Sequence, residues 1–180
     1  MEENEKFLEP ERIVKNFGLK PGDHVADFGA GHGYFTLPLA RAVGREGKVW
    51  AIDIQQPALD IIRSKAKIEH LLNVEYVRAN LEEPGSSGVG ERFFDFVLIA
   101  NILFQSEGKG ALFGEARRLL REGGRLAVVE WGETPSPLGP PAGLRVKKET
   151  ARALASQSGL ELDREFSAGP HHYGLLFIKK

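Results

Sequence analysis

His24-Val-Ala-Asp-Phe-Gly-Ala-Gly-His-Gly-Tyr-Phe-Thr36 (HVADFGAGHGYFT, residues 24–36) decides the fold. A short apolar run with strand character passes into three glycines within five residues, and a helical pattern follows at once. Glycines at such a turn let the backbone bend sharply and let a ligand approach it without meeting a Cβ. They also lose more conformational freedom on folding than other residues, so a turn without a ligand is the weaker explanation.

Outward from this turn the same alternation repeats. Residues 24–28, 48–54, 74–78, 94–100 and 125–131 read as strands, followed by 161–166 and 173–178. The central runs FDFVLIA and RLAVVEW are almost continuously apolar, as strands covered on both faces must be. Between them, Phe35, Leu39, Ala40 and Val43 share a helical face, as do Leu59, Ile62, Ala66 and Ile68. Leu112, Ala116, Leu119 and Leu120 make a third face, ended by Gly123 and Gly124; Val146, Thr150, Ala153 and Leu154 make a fourth, closed at Gly159. An opening helix spans residues 10–17, with Pro at its start and Gly18 at its end. The spacing predicts an α/β, Rossmann-like three-layer sandwich with a mostly parallel sheet. The Pro- and Gly-rich stretch 132–144 is too long for a plain connector and reads as a lid or substrate loop.

Composition bounds the rest. The 180 residues suit one domain, residues 1–180, with a full hydrophobic core. Lys and Arg (24) balance Asp and Glu (25), which argues against a nucleic-acid binder working by bulk electrostatics and leaves a local basic patch open. There is no Cys, so disulfide frameworks, thiol nucleophiles and thiolate metal sites are excluded, and no metal centre is expected. No apolar run approaches a bilayer's thickness, and the acidic, mixed opening MEENEKFLEPER is unlike a secretion signal; a cytoplasmic protein without a membrane partner is expected.

The ligand class follows from the residues around the turn. A dinucleotide fingerprint requires G-x-G-x-x-G, but the chain has Gly29, Gly31 and Gly33, with Tyr34 at the third glycine's place. Asp27, two residues before Gly29, would repel a pyrophosphate and attract an ammonium group. Asp53, at the tip of the next strand, can accept both hydroxyls of a ribose. A nicotinamide-dinucleotide enzyme on the same sheet is the weaker alternative.

Motif by motif, the chain resembles the class I S-adenosylmethionine-dependent methyltransferases. VADFGAGHGYF is similar to the family's first motif, AIDIQ to its second and FDFVLIANILF to its fourth strand. LLREGGRLAVVEW matches the helix, turn and fifth strand. The opening segment and WGETPSPLGPP resemble the small enzymes of the ubiquinone and menaquinone biosynthesis type. The resemblance implies a seven-stranded sheet with the last strand antiparallel, and S-adenosylmethionine as cofactor. It implies that Asp27, Gly29, Ala30, Gly31 and Gly33 cradle the amino-acid part, and that Asp53 meets the ribose with Ile54 beside it at the cofactor. Asn80, where the family commonly has Asp, and Leu81 meet the adenine, while Ala100 and Asn101 border the methionine. Residues 1–20, with Phe7, Leu8 and the first helix, would close over the site.

Acceptor choice is read from absences and topology. The chain has Asn101-Ile102-Leu103-Phe104 where base N-methyltransferases resemble one another in a Pro-Pro run, and Glu130-Trp131 where metal-dependent catechol-type enzymes carry Asp-Asn. A small organic acceptor is favoured, near Phe104, Gln105 and Trp131. His171 and His172, on the last turn, are candidate bases, their alternative being a surface hairpin cap. A fold retained as a non-catalytic cofactor-binding interaction protein is the other reading. The sequence carries no sign of oligomeric state.

Overall fold

The computed structural model describes residues 8–180; Phe7 and the residues before it lie outside them. Seven strands form one sheet: β1 (His24–Phe28), β2 (Lys48–Asp53), β3 (Val74–Arg78), β4 (Phe94–Ala100), β5 (Leu120–Trp131), β6 (Leu160–Ser167) and β7 (His172–Lys179). Their order is β3-β2-β1-β4-β5-β7-β6. The pairs from β3 to β5 are parallel, while β7 runs antiparallel to both β5 and β6. Chain order reverses between β1 and β4, and an open α/β sheet leaves its ligand crevice at that reversal, beyond the carboxyl ends of the strands.

Among the described residues five α-helices cover the faces: α1 (Pro10–Val14), α2 (Thr36–Val43), α3 (Gln56–Ile68), α4 (Lys109–Leu119) and α5 (Lys148–Gln157). Because side chains alternate along a strand, each strand feeds two apolar layers. Val25, Ala51, Phe96 and Leu98 join residues of α1, α2 and α3 on one face. Phe28, Ile52, Val97, Ile99 and Phe177 join α4 and α5 on the other.

Local readings differ at four places, each for a physical reason. The opening helix is α only over Pro10–Val14 and tightens to a 3₁₀ turn over Lys15–Phe17 before left-handed Gly18. α4 stops at Leu119, because Leu120 already pairs with Phe94; Gly123 and Gly124 lie in the bulge that shifts the β4–β5 register and do not stop the helix. α5 buries Ala151 and Ala155, whereas Thr150 and Ala153 are exposed. The helix begins only at Lys148, so Val146 is buried ahead of it and does not set its phase. Ile68 lies half a turn away from the Leu59–Ile62–Ala66 stripe and is exposed.

The N-terminal segment is anchored firmly at its far end. Phe17 is fully buried, stacked on Phe96 with centroids 5.0 Å apart and edge-on to Phe166 at 5.7 Å. The Arg125 guanidinium donates to the Gly18 carbonyl and that of Arg164 to the Asn16 carbonyl. On the other face of the sheet Lys179, buried on β7, donates to the Arg117 and Leu120 carbonyls and so satisfies the C-terminus of α4. Phe17→Ala is expected to cost about 3–5 kcal/mol in urea unfolding; a loss below about 1 kcal/mol would show that the aromatic trio does not hold this segment.

Candidate functional site

A cavity of about 560 Å³ opens at the carboxyl ends of β1, β2, β3 and β4. Its wall begins at the glycine turn. The Gly29 and Ala30 N–H groups donate to the Ile52 carbonyl, which folds the turn back against β2. Gly29 has φ +67, and a Cβ built there would lie 2.5 Å from Ile102 Cγ2, so only glycine fits between the turn and the β4 end.

Two carboxylates flank the turn differently. Asp27 is buried, and the Thr36 hydroxyl donates to its Oδ2 at 2.6 Å. Burial raises the Asp27 carboxyl to about 7; the Thr36 bond pulls it down and the Asp53 charge pushes it further up. Asp53 is pinned by the backbone, its Oδ2 accepting the Gly31 N–H at 2.8 Å and its Oδ1 the Gln55 N–H at 2.9 Å. Each oxygen keeps a second lone pair directed elsewhere.

On β3's side, Asn80 Oδ1 accepts the Glu82 N–H at 3.1 Å while its amide nitrogen donates to Glu83 at 3.0 Å. The backbone donor fixes which way the amide faces. On β4's side, Asn101 adopts φ +53, unusual outside glycine though least costly for Asn, and its side-chain Oδ1 is buried without a hydrogen-bond partner among the described residues. The turn that follows is held by Glu130 of β5, whose carboxylate accepts the Leu103 and Trp131 N–H groups, each at 2.9 Å. Burial raises the Glu130 carboxyl to about 7, against the pull of those N–H groups.

Of the residues singled out by sequence, Asp27, Gly29, Ala30, Gly31, Asp53, Ile54, Asn80, Leu81, Ala100, Asn101 and Gln105 all line this cavity. Gly33 does not; it faces Ile62 of α3 and brings that helix close to the turn. Phe104, Trp131, His171 and His172 also lie outside the lining. His172 is buried against Trp131, ring centroids 4.4 Å apart, and burial lowers its imidazole to about 4, with His171 and Arg145 adding to the effect.

The 132–144 stretch lies outside the cavity lining and is tied down by one side chain. Arg145 donates to the carbonyls of Gly132, Thr134, Leu138 and Pro140 and lies over the Trp131 ring at 5.4 Å. A Cβ at Gly139 would come within 2.3 Å of that ring, so the loop crosses Trp131 in contact with it. Sequence reasoning passed over Tyr34, Gln55, Ile102 and Ser106 in the lining. Each neighbours a residue already singled out, and that adjacency was the available signal.

With this geometry in place, comparison with known proteins is decisive. Residues 25–124 match the family model of a methyltransferase domain. The chain belongs to the methyltransferase-domain family. The resemblance carried by its motifs is thereby borne out in family and in fold. The ubiquinone/menaquinone biosynthesis C-methyltransferase UbiE of Vibrio vulnificus is 34% identical over 128 residues, covering 68% of this chain and 48% of that protein. The chain spans about half the length of the curated relatives it matches. A SAM dependent methyltransferase from Aquifex aeolicus superposes with a TM-score of 0.88 at 25% identity, over 97% of this chain and 91% of its own. Geranyl diphosphate C-methyltransferase from Streptomyces coelicolor, solved with Mg²⁺, geranyl diphosphate and S-adenosyl-L-homocysteine, shares the fold, with a TM-score of 0.77 at 11% identity over 95% and 79% of the two chains. No helix among the described residues is long and apolar enough to cross a membrane.

The two buried acids make stability depend on pH with a definite sign. In the folded chain Asp27 and Glu130 keep their protons to about pH 7, whereas unfolding returns them to ordinary values of 3.8 and 4.5. Their contribution to stability is therefore greatest in acid and is lost as pH rises from about 4 through 7. Asp27→Asn is expected to unfold a few degrees above the parent at pH 8, at roughly 2–4 °C per kcal/mol for a chain this size. The gap should narrow at pH 5.5. A variant less stable than the parent at pH 8 would contradict this.

Proposed function

We propose that the cavity binds S-adenosylmethionine and that the chain transfers its methyl group to a small organic acceptor. The observation that carries this reading is the set of acceptors around the glycine turn: a buried carboxylate at Asp27, an unpartnered carbonyl oxygen at Asn101, and a backbone-pinned carboxylate at Asp53. Such a wall suits a ligand with an ammonium group at one end and a diol at the other, and it repels a pyrophosphate.

In this reading Asp27 meets the ammonium, directly or through water, while Gly29, Ala30 and Gly31 let the ligand lie against bare backbone. Asp53 takes the ribose hydroxyls through its remaining lone pairs. Ile54 and Leu81 flank the adenine, and Asn80 Oδ1 accepts from its amino group beside the Glu82 N–H. Ala100 and Asn101 border the methionine, Gly33 keeps α3 close to the turn, and Leu8 with α1 covers the opening within a single domain. When bound, the cofactor supplies an activated methyl carbon on a sulfonium.

What the chain contributes is alignment and the exclusion of water, the main requirements of an in-line displacement. The acceptor side is read as the edge bearing Phe104, Gln105 and Trp131. Of the two candidate bases, His171 and His172, burial lowers the basicity of His172 and makes it a poor proton acceptor. The relatives' names favour methylation of carbon in a small organic molecule.

Calorimetric titration with S-adenosylhomocysteine tests the reading. Saturable binding well below millimolar is expected, and Asp53→Ala should weaken it by about tenfold or more through loss of charged hydrogen bonds. No heat at millimolar ligand would overturn the cofactor assignment, and an unchanged Asp53→Ala affinity would overturn the ribose role.

A further inference from the structure

Residues 8–17 form a strap whose two ends are held in different ways. The far end is the aromatic anchor at Phe17, reinforced by the Arg125 and Arg164 bonds to the Gly18 and Asn16 carbonyls. The near end is Leu8. Its side chain is buried, and its carbonyl accepts the Tyr34 hydroxyl at 3.0 Å. Tyr34 itself belongs to the cavity wall. It follows the glycine turn directly, is 60% exposed, and meets Phe35, another wall residue, edge to face at 6.2 Å. Between the two ends, Glu11 of α1 and Glu69 both pair with Arg41 of α2, but this is a solvent-exposed cluster of small energetic worth.

We propose that Tyr34 is a positioning residue that latches the strap to the cavity wall, so that its hydroxyl slows release of the cofactor without touching the cofactor's polar contacts. The assignment rests on the reading of the cavity as the cofactor site. Its reason is geometric. The strap cannot swing away from the wall at Leu8 without breaking the hydroxyl–carbonyl bond, whereas the Phe17 end is buried and stays in place. Replacement by Phe keeps the ring in the wall and its contact with Phe35, and removes only the latch.

Two measurements on the full chain test this separately. In the ligand-free protein, amide hydrogen exchange over residues 10–14 should quicken about three- to tenfold in Tyr34→Phe, the range for one net hydrogen bond, with exchange in the β-sheet unchanged. In stopped flow with S-adenosylhomocysteine, the dissociation rate should rise by a similar factor while the association rate stays within about twofold. A chain shortened to begin at Pro10, which lacks the Leu8 carbonyl, should show the same faster dissociation, and adding Tyr34→Phe to it should give no further increase. Unchanged exchange in Tyr34→Phe, or effects of truncation and substitution that simply multiply, would overturn the latch. If the parent chain does not bind S-adenosylhomocysteine, the cofactor reading fails, and the exchange measurement still decides on the latch.

Discussion

A carboxylic acid buried at the end of a central strand, with a hydroxyl as its partner, is the constraint around which the rest of this structure is arranged. Asp27 stands on β1 beside the reversal of strand order, and Thr36 is its hydrogen-bond partner at the start of α2. Removing a carboxylate from water is costly unless charge or hydrogen bonding compensates it. Among the described residues Asp27 has no ion pair, and the nearby charge that perturbs it is another acid, Asp53. A core built only for stability would place a hydrophobe here. In the function proposed above, the acid marks where stability yields to a ligand that brings a positive charge.

The surroundings keep that site in shape. Gly29 and Ile102 are close enough to exclude a Cβ at position 29, and Ile102 is held because Glu130 accepts the N–H of the next residue. Glu130 thus couples the end of β5 to the end of β4, and through Ile102 to the glycine turn on β1. Outside the cavity lining, Arg145 gathers four carbonyls of the Pro-rich loop over Trp131. One side chain thus preorganises that loop.

How much of this was legible in the sequence depends on the range of the interactions. Asp27, Gly29, Asp53 and Asn101 were legible because strand ends and the turn between them are local patterns, and an open parallel sheet brings its carboxyl ends together whatever else the chain does. The strand runs were read nearly to the residue for the same reason. The β5 start and the α5 phase were not, because a bulge at Gly123 and Gly124 and an extended Lys147 override the local pattern. Long-range partnerships were hidden altogether. Nothing near Tyr34 in sequence points to Leu8, and nothing in RVKK announces that Arg145 holds a loop. The burial of His172 against Trp131 depends on the pairing of β5 with β7, which sets those two residues opposite each other.

In the proposed function the buried acid meets the cofactor's ammonium group. Binding should then drive the proton off Asp27, since a cation beside the carboxylate favours its charged form. Calorimetry of S-adenosylhomocysteine binding at pH 6.5, in two buffers of different ionisation enthalpy, counts the protons exchanged. A net release that disappears in Asp27→Asn is expected. Binding with no proton release, or with the same release in the variant, would contradict it.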